Sequence, residues 1–370
     1  MNLRFCAPCH FGVEGLVADE LRRLGMSEVR AENGRVRFSG TEEDLAKACL
    51  WLRCAERVLV EVGSFTATTF DELFEGVKAL PFEDYIPINA AFPVKGHSIN
   101  SKLFSVSDCQ SIIKKAVVTR LSNKYGISWF PEDGETVSLR FSIMNDVCFM
   151  YLDATGEGLH KRGYRPAHVA APLSETLAAA LVILSRYRGR DDFCDPFCGS
   201  GTLAIEAALI AKNRAPGLYR SFAAEKWSCL DGRAWDLARE EAPNREFDGE
   251  YRIVGSDIDP RAVEISKENA EKAKVGKYIE FFLEDATKFN RSTERGVIVT
   301  NPPYGERIME KREAEALYTA FGNAYSSADN WKLYLLSSHT EFERSFGRSA
   351  DKKRKLYNGM IKCDLYMYLS

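Results

Sequence analysis

The chain has 370 residues, 45% of them hydrophobic, enough for two or three domains with real cores. Its 50 basic and 53 acidic residues leave a formal charge of −3, which excludes a wholesale polyanion binder. No stretch reaches the roughly 18 uninterrupted apolar residues of a membrane span, and the N-terminus lacks the apolar core of a signal peptide, so a cytoplasmic protein is expected.

Ten cysteines, at positions 6, 9, 49, 54, 109, 148, 194, 198, 229 and 363, share no repeated spacing and are expected as reduced thiols. Cys6-Ala7-Pro8-Cys9-His10 fits the CxxCH haem-attachment pattern and offers three soft ligands to zinc. Haem attachment belongs to exported proteins, and zinc would need a fourth ligand that no second CxxC or HxxxH pair supplies. Structural cysteines, and no metal, are the expectation.

In chain order, the first third alternates strands and helices. Residues 3–9 read as a strand, Leu16, Val17, Leu21 and Leu24 as a helical stripe, and Asn33-Gly34 as a hairpin turn between strands at 28–31 and 36–38. Thr41, with Asp44 at the third helical position, caps a helix to about 52, before a strand at 57–65. Residues 1–65 are expected to form a two-layer, ferredoxin-like α+β module.

Residues 66–155 continue the alternation. A helix at 70–80 is followed by a strand near 91–95, then by a long helix capped by Ser107 or Asp108 and reaching Tyr125. Strands at 136–144 and 147–154, joined at Asn145-Asp146, close this stretch. The run SKLFSVSDCQSIIKKAV, from Ser101 to Val117, resembles the signature part of a THUMP domain, an RNA-binding module of RNA-modifying enzymes. That resemblance implies that Lys102, Lys114 and Lys115 meet RNA phosphates.

Glycines 156, 158 and 163 and prolines 166 and 172 mark residues 156–172 as a linker. Inside it, Leu159-His160-Lys161-Arg162-Gly163-Tyr164-Arg165 is basic, and Lys161, Arg162 and Arg165 are candidates for RNA contact. Cations also gather at 90–130 and 344–355, and the patches together suggest a phosphate-tracking surface.

The remainder, 173–370, is an α/β pattern. Ser174 caps a helix to 184. A strand at 192–195 leads into Asp195-Pro196-Phe197-Cys198-Gly199-Ser200-Gly201-Thr202 and a helix to about 211. Gly199 and Gly201 let the backbone turn tightly and approach a ligand, while the helix N-terminus supplies N–H groups. No Lys follows the last Gly, which disfavours a nucleoside triphosphate; the run GSGTLA would still permit a dinucleotide.

A strand at 252–256 ends at Asp257-Ile258-Asp259-Pro260, where an acid can accept from ribose hydroxyls. A strand at 279–283 ends at Glu284-Asp285-Ala286, where a carboxylate can accept from an adenine amine. A strand at 296–300 ends at Asn301-Pro302-Pro303-Tyr304, a stiff turn that offers carbonyl oxygens and an aromatic face to a flat, amine-bearing substrate. A helix at 312–326 and strands near 332–336, 355–357 and 360–369 complete a seven-stranded count. Ligand groups thus fall at successive strand ends, as open α/β sheets require.

In order and spacing, DPFCGSGT, GSDIDP, EDA and NPPY resemble the class I S-adenosylmethionine-dependent methyltransferases, with their Rossmann-like sheet. The resemblance implies cofactor contacts from Asp195, Pro196, Phe197, Gly199, Gly201, Thr202, Asp257, Ile258, Asp285, Ala286 and Asn301. Nearly the whole chain, including the insertion-like residues 213–227, is similar to the bacterial THUMP-containing rRNA guanine-N2-methyltransferases. That group is often labelled N6-adenine-specific DNA methylase because of NPPY. Some relatives carry a second methyltransferase domain; with this chain ending at Ser370, one reaction is expected.

The expected chemistry is in-line methyl transfer to an exocyclic amine. Asn301 and the Pro302 carbonyl would accept the amine hydrogens, Pro303 would stiffen the turn, and Tyr304 would stack on a base taken out of its helix. Positioning of this kind supplies on the order of 7–11 kcal/mol. Cys198 could suggest carbon methylation through a cysteine nucleophile, a route that does not need the carbonyl pair. Three readings stand: guanine-N2 methylation of 23S rRNA, a tRNA guanine-N2 or N6-adenine enzyme on RNA or DNA, and an RNA-binding assembly factor with an inert domain. Intact Asp195, Gly199, Gly201, Asp257, Asp285 and Asn301 argue against the third.

Overall fold

The computed structural model describes residues 2–165, 173–291, 293, 295–304, 311–326 and 330–369. The first part runs β1 (Leu3–Pro8), α1 (Glu14–Arg23), β2 (Ser27–Glu32), β3 (Arg35–Gly40), α2 (Glu42–Trp51), β4 (Leu59–Thr66), α3 (Phe70–Lys78), β5 (Val94–Ile99), α4 (Val106–Tyr125), β6 (Leu139–Met144) and β7 (Val147–Asp153). Its strands form one sheet, in the order β2-β3-β1-β4-β7-β6-β5. β4 joins the modules, pairing antiparallel with β1 on one side and β7 on the other.

Local chemistry sets several of these elements. Thr41 and Asp44 form the expected capping box on α2, and Thr69 with Glu72 forms another on α3. Asn145 and Asp146, both at positive φ, make the tight β6–β7 turn. α4 begins earlier than expected: Ser105 precedes it, and the Ser105 hydroxyl donates to Asp108 Oδ2 at 2.6 Å. One face of the sheet is buried, with Phe5, Phe38, Phe141 and Leu152 packed against Val17, Leu45, Leu73 and Val117 of α1, α2, α3 and α4.

The second part comprises α5 (Glu175–Leu184), β8 (Asp192–Asp195), α6 (Thr202–Ala211), α7 (Arg233–Glu241), β9 (Ile253–Asp257), α8 (Pro260–Lys272), β10 (Ile279–Leu283), β11 (Gly296–Thr300), α9 (Lys311–Tyr325), β12 (Trp331–Ser337), α10 (Phe342–Phe346), β13 (Lys352–Asn358) and β14 (Ile361–Tyr368). Here the seven-stranded expectation holds, with strand order β10-β9-β8-β11-β12-β14-β13. β8 to β12 are parallel, and β14 runs antiparallel between β12 and β13. The order reverses between β8 and β11, which opens a crevice at their carboxyl ends.

The linker is clamped rather than loose. Arg220 donates to the carbonyls of Gly158 at 2.6 Å, Lys161 at 2.9 Å and Glu157 at 2.8 Å. Residues 166–172, the rest of the expected linker, lie outside the described residues.

Arg162 corrects an expectation. Its guanidinium is buried and donates to both oxygens of the fully buried Glu206 on α6, to Leu159 O and to Arg53 O. It therefore bolts the linker, the N-terminal sheet unit and α6 together and has no face left for RNA. Arg165 is likewise turned inward, donating to Thr202 Oγ1 at 2.9 Å, Leu173 O at 3.1 Å and Glu175 at 2.9 Å. Lys161 alone of the three is exposed, beside Glu157 at 3.3 Å. Two guanidiniums in a basic run were needed inside because they can satisfy several carbonyls and a carboxylate at once.

Candidate active site

Four strand ends meet at the crevice. Asp195, the last residue of β8, is 1% exposed and accepts from the Thr300 hydroxyl at 2.7 Å and from Phe197 N at 3.2 Å. Burial pushes its carboxyl up to about 7, and the nearby Asp257 adds to the rise, against the two donors that favour the charge.

After Asp195 the chain turns through Gly199 at φ +52° and Gly201 at φ +79°. A Cβ on Gly201 would come within 3.1 Å of Ser266 and Phe281, so a larger residue has no room. At Gly199 a Cβ would meet no atom within 4 Å: the loop faces open space there. From behind, α8 holds the loop, Ser266 Oγ donating to Gly199 O at 2.8 Å and Asn269 Nδ2 to Ser200 O at 3.0 Å.

Asp257 ends β9 and receives Gly199 N at 2.9 Å on one oxygen and Asp259 N at 3.0 Å on the other. Each carboxylate oxygen still has a lone pair for a ligand hydroxyl. Ile258 beside it is 71% exposed, a bare apolar side chain at the mouth of the crevice. Asp285 caps the short turn at Ala286–Lys288, accepting from the Thr287 hydroxyl at 2.7 Å and amide at 2.9 Å. These bonds hold its carboxyl below the usual range. Ala286 is buried beneath it.

Asn301-Pro302-Pro303-Tyr304 follows β11, and its position is fixed from two sides. Thr300 is anchored to Asp195, and the Tyr318 hydroxyl donates to Pro303 O at 2.6 Å. Tyr304 departs from expectation. Its ring is half-buried against the core, 4.0 Å by its hydroxyl from Cys363 Sγ, and the hydroxyl donates to Asn301 Oδ1. The two side chains expected to face a substrate therefore face each other.

Phe197, Pro196 and Thr202 are structural in part. The Phe197 ring packs edge-on against Phe321 at 5.2 Å, Pro196 is buried, and Thr202 Oγ1 takes the Arg165 bond. Cys198 is buried, and burial drives its thiol pKa well up, unsuited to a nucleophile.

Away from the crevice, Lys102 and Lys115 are exposed, whereas the Lys114 amine is half-buried over the Phe92 ring at 3.5 Å and bonded to Phe92 O and Glu132. Lys114 thus serves its own module first. Cys6 and Cys9 are buried on β1 and beside it, as free thiols.

The sequence reading missed Thr300, Ser266, Asn269 and Glu206. Thr300 was visible only as the one polar residue closing the run Gly296–Thr300. Ser266 and Asn269 share a helix face at i, i+3, a spacing that ordinary solvated faces also show.

Residues 162–367 match the RMKL-like methyltransferase domain, more than half of the chain. The chain belongs to this family. Residues 4–59 match the RlmL ferredoxin-like domain and 67–153 the THUMP domain. The chain is 47% identical to "Putative RNA methyltransferase YpsC" of Bacillus subtilis, over 98% of this chain and 95% of that protein. It is 35% identical to the ribosomal RNA large subunit methyltransferase K/L of Psychromonas ingrahamii, spanning 99% of this chain but half of that protein. The crystal structure of SMU.472, complexed with SAH, superposes with a TM-score of 0.93 at 40% identity, covering 100% of this chain and 98% of that one. Among the described residues no helix is long and apolar enough to cross a membrane.

Proposed function

We propose that the protein methylates the exocyclic N2 amine of a guanosine in 23S rRNA, in the cytoplasm, with S-adenosylmethionine as donor. The observation that carries this reading is the Thr300–Asp195 bond, which fastens the Asn301-Pro302-Pro303-Tyr304 turn to the glycine loop at the switch point. The residues present fit the cofactor. Gly199 leaves space, Asp257 keeps lone pairs for two ribose hydroxyls, Ile258 offers an apolar cover for adenine, and Asp285 is held ionised to accept its amine. When bound, the cofactor supplies a methyl group on a positively charged sulfur.

The chain itself positions the amine. Asn301 Oδ1 and the Pro302 carbonyl accept the amine hydrogens and aim the nitrogen lone pair. The Tyr304 hydroxyl occupies one lone pair of Asn301 Oδ1 and orients the amide, leaving the second lone pair for the amine. The RNA assignment rests on the THUMP match and on the exposed Lys102 and Lys115; 23S rRNA and guanine-N2 rest on the K/L relative and the chain-wide resemblance.

The deciding experiment incubates pure protein with labelled S-adenosylmethionine and separate rRNA, tRNA and DNA, then identifies the modified nucleoside. N2-methylguanosine in 23S rRNA is expected. N6-methyladenine without N2-methylguanosine would overturn the assignment.

A further inference from the structure

We infer that the helix-free face of the N-terminal sheet is the track along which single-stranded RNA reaches the Asn301 turn. The inference rests on the RNA reading above and adds a surface outside the Lys102 and Lys115 region. Register puts Glu61, Tyr151, Arg140 and Lys95 in one row across β4, β7, β6 and β5, and Arg4 of β1 reaches Glu61 at 3.4 Å. A small apolar patch of Cys6, Leu59 and Tyr151, flanked by Phe149, underlies it, separate from the main core.

The charges on this face are layered. The Glu61 side chain is fully buried and is shared by Arg4 at 3.4 Å and Arg37 at 2.9 Å. The Asp153 side chain, 1% exposed, is shared by Arg57 and Arg140, each at 2.6 Å. Each submerged carboxylate fixes two guanidiniums, and Glu32 adds a third acid, pairing with Arg35 at 2.7 Å and Arg37 at 3.8 Å. Arg4, Arg35, Arg37, Arg57 and Arg140 against Glu32, Glu61 and Asp153 still leave a net positive array. Lys95, exposed on β5, adds to it. Guanidinium forks pre-ordered in this way suit phosphate oxygens.

The same face offers stacking. Arg35 lies over the Phe149 ring at 4.6 Å and Arg37 at 5.2 Å, and Phe149 is parallel to Tyr151 within 6°. Beside them is a cleft of about 340 Å³ lined by Glu32, Asn33, Arg35, Met144, Asn145, Val147 and Phe149, roomy enough for a base, with the Glu32 carboxylate held by Arg35. Unstacked bases bind such guanidinium and aromatic planes.

Packed side chains join this sheet to the turn at the crevice. Gly34 of the β2–β3 turn lies against the Phe11 ring, which packs edge-to-face with Tyr357, ring centroids 6.1 Å apart. Tyr357 lies on β13, which pairs with β14 through Leu356 and Cys363, and Cys363 touches the Tyr304 hydroxyl.

The test is the triple variant Arg4→Gln, Lys95→Gln, Arg140→Gln, in which Glu61 and Asp153 each keep one guanidinium. Binding to 23S rRNA fragments should weaken about tenfold or more, and the log–log salt slope should become shallower by about 2, roughly 0.7 per lost phosphate contact. S-adenosylmethionine affinity should hold, while the melting temperature should fall only modestly because Glu61 and Asp153 each keep one guanidinium. If the triple variant does not fold, Lys95→Glu alone must still weaken binding and flatten the slope by about 0.7. Unchanged RNA binding in a folded variant overturns the track, while leaving the enzyme an RNA methyltransferase. Wild-type protein that methylates DNA and binds no RNA would instead overturn the proposed function.

Discussion

The Thr300 hydroxyl donates to Asp195 Oδ1 at 2.7 Å, linking the carboxyl ends of two neighbouring parallel strands, β11 and β8. Backbone pairing of these strands stops at Ile298 and Cys194, so this side-chain bond carries the register to the mouth of the crevice. It sets how far the Asn301-Pro302-Pro303-Tyr304 turn stands from the glycine loop.

Thr300→Val keeps the shape and removes the donor. Stability should fall by about 1–3 kcal/mol, since the bond goes to a buried carboxyl group. Methyl transfer should fall further than cofactor affinity, while Thr300→Ser should restore both. Denaturant titration, calorimetric binding and a methylation assay measure the three quantities.

Asn301→Ala should abolish transfer with cofactor affinity largely intact, because its amide serves the amine. Tyr304→Phe frees Asn301 Oδ1 from its resting partner. It should retain cofactor binding while the loss of ordering reduces kcat. Near-normal turnover by Asn301→Ala would remove the role assigned to the turn.

Arg162→Met leaves Glu206 buried without its guanidinium. Destabilisation of about 3–5 kcal/mol is expected. The double variant Arg162→Met, Glu206→Leu should recover only part of it: the unpaired charge is gone, but Leu159 O, Arg53 O and the Tyr164 hydroxyl lose their partners. The salt slope of RNA binding should not change in the double variant, because Arg162 is inside. Chemical denaturation and filter binding at several salt concentrations check both statements.

Stability should decline as pH rises through neutrality. Burial raises the Asp195 and Glu20 carboxyls to about 7 in the fold. A raised pKa means that protonation favours the folded state; this contribution is complete below the unfolded value and is lost as pH climbs through the folded one. Melting temperatures measured from about pH 6 to 8 should fall, and Asp195→Asn should make the fall shallower.

Lys102→Glu with Lys115→Glu should weaken RNA binding without moving cofactor affinity. Lys114→Glu should instead lower the melting temperature, because its amine is bonded to Phe92 O and Glu132. Gel-shift and thermal melting separate the two effects.

Much of this protein was written locally. Capping pairs such as Thr41 with Asp44, the Asn145-Asp146 turn, and acids and amides just after short apolar strands each depend on a few neighbouring residues, so the strand ends of the crevice could be placed from the sequence. What only the tertiary structure decided are the partners far apart in the chain. A guanidinium in a basic run is the same in sequence whether it meets phosphate or carboxylate, and only folding brings Glu206 to Arg162, 44 residues away. Likewise, nothing local shows that β4 merges two modules into one sheet, or that Tyr304 rests on Asn301 rather than awaiting a base. Those outcomes follow from burial, which forces each enclosed polar group to find a partner wherever the chain supplies one.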